Sequence, residues 1–114
     1  MGEKLKAKAC SAIDALSNEL FDLSNEIWKV PELMFEEHQA HATLTSFFEK
    51  HGFQVKRKYP LDTAFVATNK PNRVGDEPCV AVLCEYDALP GIGHACGHNL
   101  IAEAGAAAAI GNTY

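Results

Sequence analysis

Cys79-Val80-Ala81-Val82-Leu83-Cys84 is apolar without interruption. A run of that length with no polar alternation reads as an interior strand buried on both faces, as in an α/β sheet. The chain then turns polar and glycine-rich, through Glu85-Tyr86-Asp87-Ala88-Leu89-Pro90-Gly91-Ile92-Gly93-His94-Ala95-Cys96-Gly97-His98-Asn99, before an alanine-rich, helix-favouring stretch from Leu100 to Ile110. Strand, loop and apolar helix in succession make an α/β unit, whose ligands sit outside the carboxyl end of the strand. Asp87, Cys96 and His98 fall at that end. A helix apolar on nearly every side needs a sheet beneath it and a second layer above, and another strand normally follows. Residues 1–114 are therefore expected to be one portion of a longer domain.

Upstream, Leu16, Leu20, Leu23, Ile27 and Val30 step by four, three, four and three, one apolar stripe on a helix that Pro31 ends. A second helix is expected from about Phe35 to His51, with Ala40, Leu44, Phe47 and Phe48 facing inward and Gly52 as its left-handed stop. The period then changes to two. Phe53, Val55, Arg57 and Tyr59 alternate with polar neighbours, Pro60-Leu61-Asp62 turns, and Thr63 to Thr68 forms a second strand. Asn69 to Pro78 has the composition of an exposed loop.

A net charge of −5 argues against a nucleic-acid partner. The stretch from Leu100 to Ile110 is shorter than the roughly 20 residues that a membrane-spanning helix needs, and Glu103 interrupts it, so no membrane partner is expected. The charged start, Met1-Gly2-Glu3-Lys4-Leu5-Lys6, lacks the apolar core of a secretion signal, which makes the cytoplasm the expected location. Cys10, Cys79, Cys84 and Cys96 form no CxxC pair, and no disulfide framework is expected.

The loop is the chemically informative part. Cys96 and His98 offer a thiolate and an imidazole, both good ligands for a borderline-soft cation such as zinc. Two ligands do not complete a catalytic site, which usually takes three from the protein plus water. Gly91, Gly93 and Gly97 allow the tight curl that lets side chains converge, and Asp87 or Glu85 could orient an imidazole or ligate directly. A cysteine beside a loop histidine can be mere packing. Two carboxylates, two histidines and a cysteine in one glycine-rich loop are harder to explain so, because each buried polar group needs a partner. A nucleophilic Cys96 with His94 or His98 as base is a further possibility. His38 and His41 share a helix face, but their polar neighbours suggest a solvated surface, and Glu36 and Glu37 suit a helix start. Neither the His-Glu-x-x-His motif, the zinc-deaminase pattern nor a Walker-type phosphate loop occurs.

Glu85 to Pro90 followed by Gly93 to Asn99 resembles the signature of the amidohydrolase branch of the aminoacylase and carboxypeptidase G-type zinc peptidases, clan MH. Pro31-Glu32-Leu33 with Phe35-Glu36-Glu37 resembles that branch's helix-ending motif, and the likeness runs from about residue 13 to residue 111. The resemblance implies the N-terminal part of a three-layer α/β/α zinc-peptidase catalytic domain: two N-terminal helices, strands, then a buried helix. It implies metal-dependent hydrolysis of dipeptides, with a basic C-terminal residue, by a homodimeric parent holding two divalent cations, zinc with manganese or cobalt as alternatives. Cys96 becomes the bridging metal ligand, where many relatives carry aspartate, and His98 a terminal ligand. Asp87 matches the active-site aspartate, although the family's histidine two positions earlier is Glu85 here. His94 matches no ligand position. The family's general-base glutamate, remaining ligands and inserted dimerisation domain have no counterpart in these residues, so the chain alone is expected to be inactive. The competing expectation is a non-catalytic form acting at most as a metal-binding or interaction module through an uncovered sheet edge.

Overall fold

A computed structural model describes residues 2–69, 75 and 77–114. The chain runs α1 (Gly2–Ala15), α2 (Ser17–Lys29), α3 (His38–Lys50), β1 (Gln54–Arg57), β2 (Phe65–Thr68), a short 3-10 turn (His94–Cys96) and α4 (His98–Gly111). It is a mixed α/β architecture of several helices with a small antiparallel sheet. Three helices precede the strands where two were expected, because Gly2–Ala15 forms a helix of its own.

The apolar stripes decide the core. Leu20, Leu23 and Ile27 of α2 are buried, as are Ala40, Leu44, Phe47 and Phe48 of α3, and Leu44 is fully shielded. Val30 lies past the end of α2 and is exposed. α3 ends in a Schellman arrangement: Gly52 sits at φ +83°, its N–H donates to the Glu49 carbonyl at 3.1 Å, and the Phe53 N–H donates to the Phe48 carbonyl at 3.0 Å. α3 starts at His38, three residues later than expected, because Phe35 holds a left-handed φ of +71° that no helix tolerates.

β1 and β2 pair antiparallel with Gln54 opposite Thr68 and Arg57 opposite Phe65. Val55, Phe65 and Ala67 turn toward the core, where the Phe65 ring packs against Phe48 with centroids 5.8 Å apart. α4 lays Ala102, Ala106 and Ile110 onto α1 and α2, while Leu100 and Ile101 stay exposed. Its small residues permit close approach: a Cβ at Gly111 would meet the Ile13 side chain of α1 at 3.0 Å.

Cys79 to Cys84 is not the interior strand that its composition suggests. It lies outside any named strand, and Val80 and Leu83 are 67% and 84% exposed. A strand buried on both faces needs a neighbour on each edge and a layer on each face. Residues 79–83 are exposed, and Cys84 is half-buried beside Gly105 of α4. Most of the expected Asn69 to Pro78 loop, residues 70–74 and 76, lies outside the described residues. Among the described residues no helix is long and apolar enough to cross a membrane.

Glu19 of α2 ties the C-terminal end of α3 in place, accepting from His51 Nε2 at 2.9 Å and from Lys50 Nζ at 3.0 Å. The hydrogen bond from His51 is the main reason its carboxyl titrates below the ordinary range; Lys50 adds to it and burial opposes it. A depressed folded-state pKa stabilises the fold above the unfolded carboxyl value, and that stability is lost as pH falls through the folded value. Urea midpoints are expected to drop less between neutral pH and pH ~3 in Glu19→Gln than in the parent, by the ~0.2–1 kcal/mol typical of a surface pair. Identical pH slopes would remove the pair from the stability account.

Candidate functional site

The end of the apolar run is fixed by its neighbours before the loop begins. Ala88 N–H donates to the Glu32 carbonyl at 2.7 Å, and Leu33 and Ala88 form a parallel bridge. The Glu32 carboxylate accepts the Gln39 and Ala40 N–H groups at 2.9 and 2.8 Å. On the other side of Asp87, the Tyr86 hydroxyl donates to the Thr63 carbonyl. Burial, helped by Glu37 and Cys84, pushes that hydroxyl up to about 12, so it remains a proton donor at neutral pH.

Past Ala88 the chain folds back on itself. Leu89 N–H donates to the Gly93 carbonyl at 2.9 Å and Gly93 N–H returns to the Leu89 carbonyl at 3.1 Å. Gly93, at φ +60° and ψ −134°, occupies a conformation essentially reserved for glycine, and Gly97 at φ +82° separates the 3-10 turn from α4. These two residues bring Cys96 and His98 back over Asp87.

His98 Nδ1 lies 2.7 Å from Asp87 Oδ1 and 3.0 Å from the Asp87 carbonyl oxygen. Both partners are acceptors, so Nδ1 carries a hydrogen. Nε2 sits 3.2 Å from Glu85 Oε2. The Cys96 thiol also turns to the Asp87 carbonyl, 3.8 Å away. Asp87, Cys96 and His98, separated by up to eleven positions, therefore meet around one backbone oxygen. Among the described residues, no group of three or more His, Cys, Asp or Glu side chains gathers in metal-holding geometry. The donor types nevertheless suit a cation: an imidazole oriented by the Asp87 carboxylate, a second carboxylate near its Nε2, and a thiol alongside.

His94 is buried beneath this cluster, and neither ring nitrogen has a hydrogen-bond partner. Burial first, and neighbouring His98 second, hold its pKa below the usual imidazole range against the opposing Ile27 backbone and the carboxylates of Asp87 and Glu32. It is a neutral ring at neutral pH. The pairing of His38 with His41 does not occur. His38 is exposed beside Glu36, whereas His41 is buried with Nε2 3.1 Å from the Ala64 carbonyl. A residue with a mate on the facing hairpin is drawn inward whatever its sequence neighbours.

Sequence reasoning assigned no site task to Thr63 or Tyr86, and read Glu32 and Glu37 only as parts of helix ends. The Glu37 carboxylate is buried, accepting from Phe35 N–H at 2.7 Å and from the Thr63 hydroxyl at 2.6 Å. The available signal was Pro31-Glu32 ahead of an unmarked helix start, but helix periodicity does not reveal a cap that reaches across a turn.

No family model matches the chain. It is 49% identical to a Homo sapiens Xaa-Arg dipeptidase over 119 residues, covering 96% of this chain and 27% of that protein. It is 50% identical to a Mus musculus Xaa-Arg dipeptidase over 116 residues, with the same coverage of 96% and 27%. Over 117 residues it is 36% identical to a p-aminobenzoyl-glutamate hydrolase polypeptide of Escherichia coli (strain K12), covering 87% of this chain and 24% of that protein. The chain spans about a quarter of the length of the curated relatives it matches.

Proposed function

Starting from a chain that is homologous to the Xaa-Arg dipeptidase and amidohydrolase family, we propose that residues 1–114 are the N-terminal portion of the three-layer α/β/α catalytic domain of a metal-dependent amidohydrolase. The proposed substrates are dipeptides with a basic C-terminal residue, and the proposed assembly is a homodimer. The reading assigns Cys96 and His98 as the residues of this chain that would hold divalent cations, zinc first, with manganese or cobalt as alternatives. The proposed setting is the cytoplasm, where the Cys96 thiol stays reduced.

One observation supports this reading most. Asp87 accepts the hydrogen from His98 Nδ1 at 2.7 Å, which turns the opposite ring nitrogen, Nε2, away from Asp87. A carboxylate behind an imidazole fixes ring orientation and raises ligand basicity, the arrangement used behind metal-bound histidines. Held there, divalent cations would supply Lewis acidity, polarising a scissile carbonyl and lowering the pKa of water. The protein's own residues do the holding: Asp87 orients His98, and Glu32 and Tyr86 steady the backbone on either side of Asp87. Asp87 is the catalytic carboxylate of the proposal.

The test is equilibrium dialysis against zinc. The parent chain is expected to bind at least about tenfold more tightly than a Cys96→Ala/His98→Ala variant, the scale associated with loss of a metal site's partners. Equal zinc retention by the two proteins would end the metal assignment.

A second reading, a non-catalytic interaction module, is favoured by the exposed Val80 and Leu83 on a segment that, among the described residues, lies outside any strand. Dipeptide hydrolysis by the 114-residue protein above a metal-free control would exclude it.

A further inference from the structure

We propose that Glu32 and Glu37, both from the segment joining α2 to α3, are positioning residues that set the register of Asp87 and, through it, the ring orientation of His98. The proposal rests on the reading of Asp87 and His98 as site residues.

Asp87 is held through both of its chain neighbours. Ala88 on one side donates to the Glu32 carbonyl at 2.7 Å. Tyr86 on the other donates to the Thr63 carbonyl, and the Thr63 hydroxyl donates to Glu37 Oε2 at 2.6 Å. The two tethers, one through main chain and one through side chains, therefore return to residues five positions apart in sequence.

The segment itself is anchored by the same two carboxylates. Glu32 spans 2.8 and 2.9 Å to two first-turn N–H groups of α3. Those amides are normally satisfied by the side chain at the N-cap. Here the N-cap is Glu37, which makes no capping bond and instead holds the Phe35 N–H at 2.7 Å. Phe35 adopts φ +71°, a conformation a bulky residue takes only when its surroundings enforce it. The two roles are crossed: the distant glutamate caps the helix while the local one fixes the bend. A stability role needs only a local cap; the crossed arrangement keeps the Glu32 carbonyl aimed at Ala88.

The experiment uses the zinc-free 114-residue chain labelled with 15N-histidine, with the His98 ring signals identified by their loss in His98→Ala. The parent is expected to show a protonated Nδ1 hydrogen-bonded to Asp87. Glu32→Ala and Glu37→Ala are each expected to mix the two tautomers, and zinc affinity is expected to fall about tenfold, as for loss of an outer support of a ligand. Glu32→Gln keeps one carbonyl acceptor for α3 and is expected to restore most of the parent tautomer. Glu19→Ala, which loosens the far end of α3, is expected to leave the ring signals at their parent positions.

Parent-like His98 signals in both alanine variants would overturn the proposal, as would tautomer mixing in Glu19→Ala equal to theirs. Should an alanine variant not fold, Glu32→Gln and Glu37→Gln decide: a partial shift of the tautomer in the folded protein supports the proposal, and no shift in either overturns it. A parent that binds no zinc but shows the tautomer effect would sink the metal reading and leave the positioning role standing.

Discussion

Leu44→Ala is expected to lower unfolding free energy by ~2–5 kcal/mol, the range for removing a buried leucine when its surroundings collapse only partly. Leu44 has no exposed surface and lies in the cluster that joins α2, α3 and α4. Small domains have only ~5–15 kcal/mol in total, so this one truncation is expected to populate unfolded chain under otherwise native conditions. Urea titration followed by circular dichroism measures it. Phe21→Ala is the comparison, since Phe21 is 62% exposed and its loss should be small. Equal losses in the two variants would show that the core is wrongly placed.

Gly105→Ala is expected to cost ~1–3 kcal/mol, the scale of overpacking a filled contact. A Cβ there would collide with Cys84 Sγ and come within 3.1 Å of the Leu83 carbonyl oxygen. The sulfur can rotate aside, but the carbonyl is main chain, so α4 and the extended segment must separate. That separation has a second readout. Burial pushes the Cys84 thiol above the ordinary range, and opening the contact should make Cys84 react faster with an alkylating reagent. Parent-like stability and parent-like Cys84 reactivity together would mean that α4 and residues 83–84 do not touch.

Much of the helical core was legible because it rests on spacing within one element. Leu20, Leu23 and Ile27, then Ala40, Leu44, Phe47 and Phe48, declare a buried face whatever they pack against. Gly52 could be read as a stop because the chemistry of a left-handed residue is local. The segment from Cys79 to Cys84 was misread for the opposite reason. Its composition states that it can be covered on both faces, while its exposure depends on which neighbours are at hand. α1 carries no buried residue, so it had no stripe to announce it as a separate helix.

The candidate site divides the same way. Asp87, Cys96 and His98 were visible as reactive types in a glycine-rich loop, and the structure gathers them around one another. The tethers from Glu32 and Tyr86 were not, because each joins residues 23 to 56 positions apart (86 − 63 and 88 − 32), and no periodic pattern encodes such a pairing.

The Asp87 carbonyl oxygen, approached by both the Cys96 thiol and the His98 ring, has a consequence for precision. The two side chains share a single point of reference. A shift of the backbone at Asp87 moves the anchor of sulfur and nitrogen together, so the gap between them is expected to change less than the position of either.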